Sequence, residues 1–220
     1  MDAIQIIALS MGVAWASGIN LYAAIFMLGL LGSTGHIQLP PDLQVVTDPL
    51  IMFAAALMYC IEFFADKIPG VDNAWDTVHT FIRIPAGAVL AMGAVGDISP
   101  AAELAAFLLG GTLAAGAHAT KAGSRILINT SPEPVSNWVV SIAEDIIVII
   151  GMWTALTHPV IFLAGLLVFI ILMVWLLPKI WHGVKRIFSF LRGLLNGTRK
   201  QPASPATGPG TVPSARNHNE

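Results

Sequence analysis

A chain of 220 residues that is 55% hydrophobic and only 11% charged does not compose like a soluble domain, where the charged share is about 25%. Its net charge of -2 hides an asymmetry, because seven of the eleven Lys and Arg residues (Lys179, Lys185, Arg186, Arg192, Arg199, Lys200 and Arg216) follow the last apolar run. A basic patch beside a membrane segment answers to anionic lipid and to topology, so nucleic acid is excluded as the partner and the lipid bilayer is expected instead.

Apolar runs separated by short polar breaks predict an all-α polytopic membrane bundle of about six spans, near 3–32, 50–66, 76–96, 101–120, 137–157 and 159–178. The opening MDAIQIIALS has an acid where a signal peptide carries a base, and it reads as a retained first span. That span is longer than the roughly 20 residues a crossing needs. SGIN (Ser17 to Asn20) interrupts it and predicts either a broken helix or a continuous tilted one. Cys60 is the single cysteine, so no internal disulfide and no cysteine-based zinc cluster can form.

Span 2 ends on Glu62 and Asp66, four apart and therefore on one face. Lys67, Pro69 and Gly70 form a turn signal, and the chain restarts at Asp72 with Asp76, His79 and Arg83 in one stripe. Trp75, Val78, Phe81 and Ile82 take the other side, and Pro85 is expected to bend this helix. In span 4, Ala102, Ala106, Gly110 and Ala114 make a stripe of small residues that leads to His118, Lys121 and Arg125, which predicts a central, closely approached helix. NTSPEPVSN (Asn129 to Asn137) reads as a helix stop, after which span 5 presents Asn137, Ser141 and Glu144, with Asp145 beside them. Beyond a membrane domain of residues 1–178, residues 179–195 predict a basic amphipathic helix lying in the inner interface. Residues 196–220, rich in Pro, Gly and Ser, predict a disordered cytoplasmic tail.

If the N-terminus is cytoplasmic, the loops Gly32 to Pro49, Gly96 to Pro100 and around His158 face outward, and none of them contains a base. All eleven bases then fall on the inner side or at its membrane edge, which predicts both termini inside the cytoplasmic (inner) membrane. ADK (Ala65 to Lys67) and ATK (Ala119 to Lys121) echo each other, and two inverted repeats of three spans are one reading of that echo.

The stretches GINLYA (Gly18 to Ala23), EFFADKIPGVDNAWDTVHTFIRIPAGA (Glu62 to Ala88), HATKAGSR (His118 to Arg125) and SPEPVSNWVVSIAED (Ser131 to Asp145) resemble the bacterial membrane protein family called domain of unknown function 4126. The resemblance runs over about residues 10–178, and its specific part is the central acidic stretch. It implies a small polytopic membrane protein with those polar positions as its hallmark, and it implies no particular activity.

A charge at mid-bilayer costs about 2.5 to 3.5 kcal/mol on insertion scales. Glu144 and Asp145 sit about 10 to 12 Å into their span at 1.5 Å per residue, so they are expected to turn inward. The acids of spans 2 and 5 are therefore expected to meet the bases of the two inner turns in a shared polar interior. The candidate cavity comprises Asn20, Glu62, Asp66, Lys67, Asp72, Asp76, His79, Arg83, His118, Lys121, Arg125, Glu144 and Asp145. It suits a transporter or permease-like protein handling a cation, a proton or a small polar solute, with His79 and His118 as relays. No HExxH or comparable spacing supports a metal site, no catalytic set or cofactor motif stands out, and a second copy of the chain is left open as a partner. The alternatives are a scaffold whose charge network only locks helices and, behind it, an enzyme acting on lipid phosphates.

Overall fold

The computed structural model describes residues 1–68, 70–96, 98–129 and 134–197. Pro69 of the first inner turn, residues 130–133 of the helix stop and the tail from residue 198 lie outside the described residues. The described residues form six long helices: α1 Ala3–Ser33, α2 Pro49–Ala65, α3 Val71–Val95, α4 Pro100–Ile128, α5 Pro134–Thr157 and α6 Pro159–Gly197, with a short 3-10 helix at Pro41–Thr47 between α1 and α2. Met1–Lys185 form one compact unit, described below; Arg186–Glu220 form a second, in which Ser189 Oγ donates to the Arg186 carbonyl at 2.8 Å.

The helix starts follow local chemistry. Asp2 and Gln5 cap α1 reciprocally, each side chain meeting the other's backbone N–H. Asp48 and Ser99 cap α2 and α4, and each is followed by a proline at the first helical position, where no N–H is needed. Pro85 stands inside α3 without ending it.

By length and composition α1, α3, α4, α5 and α6 are able to cross a bilayer, and α2 joins them together with the 41–47 turn, which it meets at 66°. Large apolar side chains such as Leu50, Phe53, Phe64 and Phe81 face outward, while Glu62, Asp72, Arg83 and Arg125 are buried. This inversion of the soluble pattern fits a multi-pass membrane protein, whose lipid-facing surface must be apolar.

The first helix is broken, not tilted. Asn20 leaves the helical region (φ -146°, ψ 95°). Before it, Ala3 and Ile6 share a cleft with Val95 and Ile98, Ser10 Oγ donates to the Ala91 carbonyl at 2.8 Å, and Ser17 Oγ donates to the Arg83 carbonyl at 2.8 Å. The first arm therefore runs antiparallel to α3. After the break, Tyr22 meets His79, the backbone of Gly29 lies against Val46 and Met52, and Gly32 lies against Leu39 and Thr47. Leu43 of the same connection packs on Gly93, and Leu39 lines one pocket with Met1, Gln5 and Leu9. The two ends of α1 thus share the C-terminal end of α3, although a straight helix of this length would hold them about 45 Å apart. The helix doubles back at Asn20.

Two expectations change as a result. Counting α1 as one crossing placed both termini inside; because it returns, Met1 lies at the opposite end of the bundle from Lys179, whose neighbour Ile180 packs on Gly123 near the end of α4. The hub is α1, which packs on α2, α3, α4, α5 and the 41–47 turn, whereas the sequence pointed to α4. The small-residue stripe of α4 does lie inward: Gly110 faces Ala91 and Ala14, and Ala114 faces Gly18 and Gly87. The ADK and ATK segments belong to helices that run in the same direction, so their echo is no sign of inversion. The α6 helix stays peripheral, reaching α1 through Phe162 and Phe169 against Trp15.

Candidate functional site: a buried charge cluster at the break in α1

Five elements bring polar side chains to one place. The last turn of α2 supplies Glu62 and Asp66, and Gly70 (φ 89°) reverses the chain in a backbone conformation that a side chain would strain. The first turns of α3 supply Asp72, Asp76, His79 and Arg83. The end of α4 supplies His118, Lys121 and Arg125; α5 supplies Asn137, Ser141, Glu144 and Asp145. Gly18 lets the broken part of α1 settle on α4, since a Cβ there would collide with the Ala114 carbonyl.

Lys121 is the centre. Its Nζ lies 2.9 Å from Asp66, 3.2 Å from Glu62, 3.7 Å from Glu144 and 4.0 Å from Asp76. It also donates to the Ile19 carbonyl at 3.0 Å, the C-terminal end of the first arm. An ammonium has three donors, and Asp66, Glu62 and Ile19 use them. Arg83 joins Glu62 (2.5 Å) to Asp76 (3.0 Å). Arg125 holds Glu144 (2.5 Å), Asp66 (3.3 Å), the Asp66 carbonyl (2.9 Å) and Asn137 Oδ1 (2.8 Å), with Asp72 at 4.0 Å. On the remaining side Asn20 Nδ2 donates to Asp145 Oδ1 at 2.9 Å, while Asn20 Oδ1 accepts from the Ala23 N–H at 3.0 Å and so caps the returning arm. These side chains are almost fully buried; Glu144, at 16% exposure, is the most open of the ion-pair partners.

The two histidines have defined roles. Arg83 Nη1 points at His118 Nδ1 (3.3 Å), and a guanidinium only donates, so Nδ1 must accept and the ring is neutral. Its Nε2–H is left for Thr80 Oγ1 (2.8 Å) and the Asp76 carbonyl (3.1 Å). His79 Nδ1 donates to the Trp75 carbonyl (2.9 Å), which leaves Nε2 to accept from the Tyr22 hydroxyl (3.0 Å). In this arrangement neither ring bonds directly to a carboxylate side chain.

Of the thirteen candidate residues, two stand apart from the bonded cluster: His79, whose contacts go to Trp75 and Tyr22, and Lys67. Lys67 places Nζ over the Phe63 ring, 2.9 Å from its centroid, and donates to the Phe63 carbonyl. Asp72 sits at the edge, where Asn129 Nδ2 bonds both its oxygens at 2.8 and 3.0 Å. Burial alone would raise the Asp66 carboxyl, but Lys121 and Arg125 outweigh it and hold Asp66 below the ordinary aspartate range.

With this geometry in view, residues 7–179 match the family described as Domain of unknown function (DUF4126). The chain belongs to that family. Every member of the cluster lies inside the stretch that defines DUF4126, which stops short of the basic end of α6. No curated protein and no solved structure matches the chain.

The sequence reading missed the uncharged partners Tyr22, Thr80 and Asn129, which contact the predicted residues directly, whereas Asn137, read as part of the polar face of span 5, binds Arg125. Tyr22, Thr80 and Asn129 were readable as polar groups adjoining charged stripes. Only a fold tells which of them turns inward.

Proposed function

We propose that this DUF4126 protein is a transporter of the cytoplasmic membrane whose buried cluster handles a proton or a small cation. The observation that carries the reading is the meeting of a discontinuous helix with an excess of buried acid. Glu62, Asp66, Asp72, Asp76, Glu144 and Asp145 are six carboxylates facing three cations, Arg83, Lys121 and Arg125, and Lys67 at the rim does not close the gap. Buried carboxylates without counter-charge are costly, and they favour the uptake of a proton or a cation. Broken helices whose ends meet charge are the way transporters build ion sites inside a bilayer. Here Lys121 bonds the last carbonyl of one arm, and Asn20 caps the start of the other.

Clefts of about 320, 430 and 630 Å³ are apolar and lie away from the charges, which favours a small ionic cargo over a bulkier solute. The bases of the Met1–Lys185 unit lie at the end of the bundle that carries the α2–α3 turn, and the positive-inside rule favours that end as the cytoplasmic one. Arg83, Lys121 and Arg125 are already bonded to carboxylates, and the donor left over, Arg83 Nε, is buried, so a lipid phosphate would have to displace acids to bind. The second reading, a purely structural network, draws on the saturated donors of Lys121.

Purified protein in liposomes is expected to move protons or alkali cations, with the flux lost in Glu62→Gln and Asp66→Asn proteins that still fold. Silence of wild-type protein toward protons and every alkali cation, together with lowered stability of both variants, would favour the structural network.

A further inference from the structure

Glu62, Asp66, Asp72, Asp76 and Glu144 each have a cationic side chain within 4.0 Å. Among the described residues Asp145 has none. Its Oδ1 accepts from Asn20 Nδ2, its Oδ2 is buried with no hydrogen-bond partner, and the residue is 7% exposed. One turn earlier on the same face of α5, the buried Ser141 Oγ also lacks a partner.

We propose that Asp145 is the proton-binding residue of the cluster, with Oδ2 protonated while Asn20 ties Oδ1 to the break in α1. A bare carboxylate oxygen buried beside one amide donor is costly, and a proton on Oδ2 removes the charge without needing any space. A metal ion would need several oxygens converging on it, and no group of three or more His, Cys, Asp or Glu side chains is so arranged among the described residues.

The groups that face Asp145 agree with this. Tyr59 and Glu62 of α2, Asp66 at its end and Lys67 of the turn are all within electrostatic reach, as is Lys121 of α4, while α1 contributes only the neutral Asn20. Lys67 is held on Phe63, and Lys121 already serves Asp66, Glu62 and the Ile19 carbonyl, so neither is free to neutralise Asp145. When the proton leaves Oδ2 and passes to water, the ionised group seeks a new donor. The Asn20 amide already holds Oδ1, and its other end caps the returning arm. Proton loss would therefore act on the break in α1.

This deepens the transport reading by naming its carrier, but the test does not depend on transport. Full-length protein in lipid nanodiscs is titrated while its infrared difference spectrum is recorded. The expected result is a protonated-carboxyl stretching band that persists at neutral pH. It should be lost in Asp145→Asn, persist with a shift in Asp145→Glu, and stay unchanged in Glu103→Gln, in the first turn of α4 at the end of the bundle away from the cluster. Absence of such a band at neutral pH, or its survival in folded Asp145→Asn protein, overturns the assignment. A band that behaves as expected in protein that moves no protons still supports Asp145 as the protonated group and overturns the transport reading alone.

Discussion

The two ends of the bundle are held together in opposite ways. At the end carrying the α3–α4 turn, helices touch through small residues and single hydroxyls: Ser10 on the Ala91 carbonyl, Gly12 against Ala155, Gly93 against Leu43. At the other end the same helices are tied by a continuous ion-pair network through Lys121, Arg83 and Arg125. Close packing of small residues needs no counter-charge and tolerates no added volume. The charged end tolerates a change of volume better than a change of charge, because a buried ion left without its partner has nowhere to be solvated.

Substitutions should separate the two ends by mechanism. The largest loss is expected for Lys121→Met, which takes from Glu62 and Asp66 one of the two cations each of them has; breaking a buried pair costs about 3 to 5 kcal/mol, and thermal unfolding in detergent should show it as failure to accumulate folded protein. Next comes Gly110→Val, which forces a side chain into Ala91 and the Gly87 carbonyl. Overpacking of this kind costs about 1 to 3 kcal/mol, and the same unfolding assay should report a loss that acid does not change.

Acid itself distinguishes the ends. Asp66 has its carboxyl pKa lowered in the folded protein, so its contribution to stability is complete above the pKa of an unfolded aspartate and is lost as pH falls through the lower, folded value. Unfolding midpoints should therefore drop at acidic pH in wild-type protein, and drop less in Asp66→Asn. The smallest effect is expected for Phe81→Leu on the outer face of α3, where the side chain is 80% exposed toward lipid; a change within about 0.5 kcal/mol is expected at such a position. A large loss there would mean that Phe81 covers a partner instead.

Much of this contrast could be read from the residues. Prolines, the Asp48 and Ser99 caps and Gly70 mark helix boundaries, and the spacings of Asp76, His79 and Arg83 and of His118, Lys121 and Arg125 predict two facing charged stripes. The return of α1 could not be read. It rests on one residue with extended dihedrals, and the bonds that secure it come from Lys121 and Asp145, more than a hundred positions away in sequence. Lys67 and Lys121 could not be ranked either, since both end an apolar run after a similar tripeptide. Only packing sends one onto Phe63 and the other among four carboxylates. The roles of the histidines depend on donors, Arg83 for His118 and Tyr22 for His79, whose orientation no spacing encodes.

The arrangement of the cluster around Asn20 depends on the doubling back of α1, and a distance between spin labels at Ala3 and Ser33 in lipid bilayers measures it directly. The fold described here predicts a separation well under half of the roughly 45 Å that a continuous helix would impose. A distance near that full length would mean that Asn20 lies within an unbroken span, and the broken-helix site would not exist.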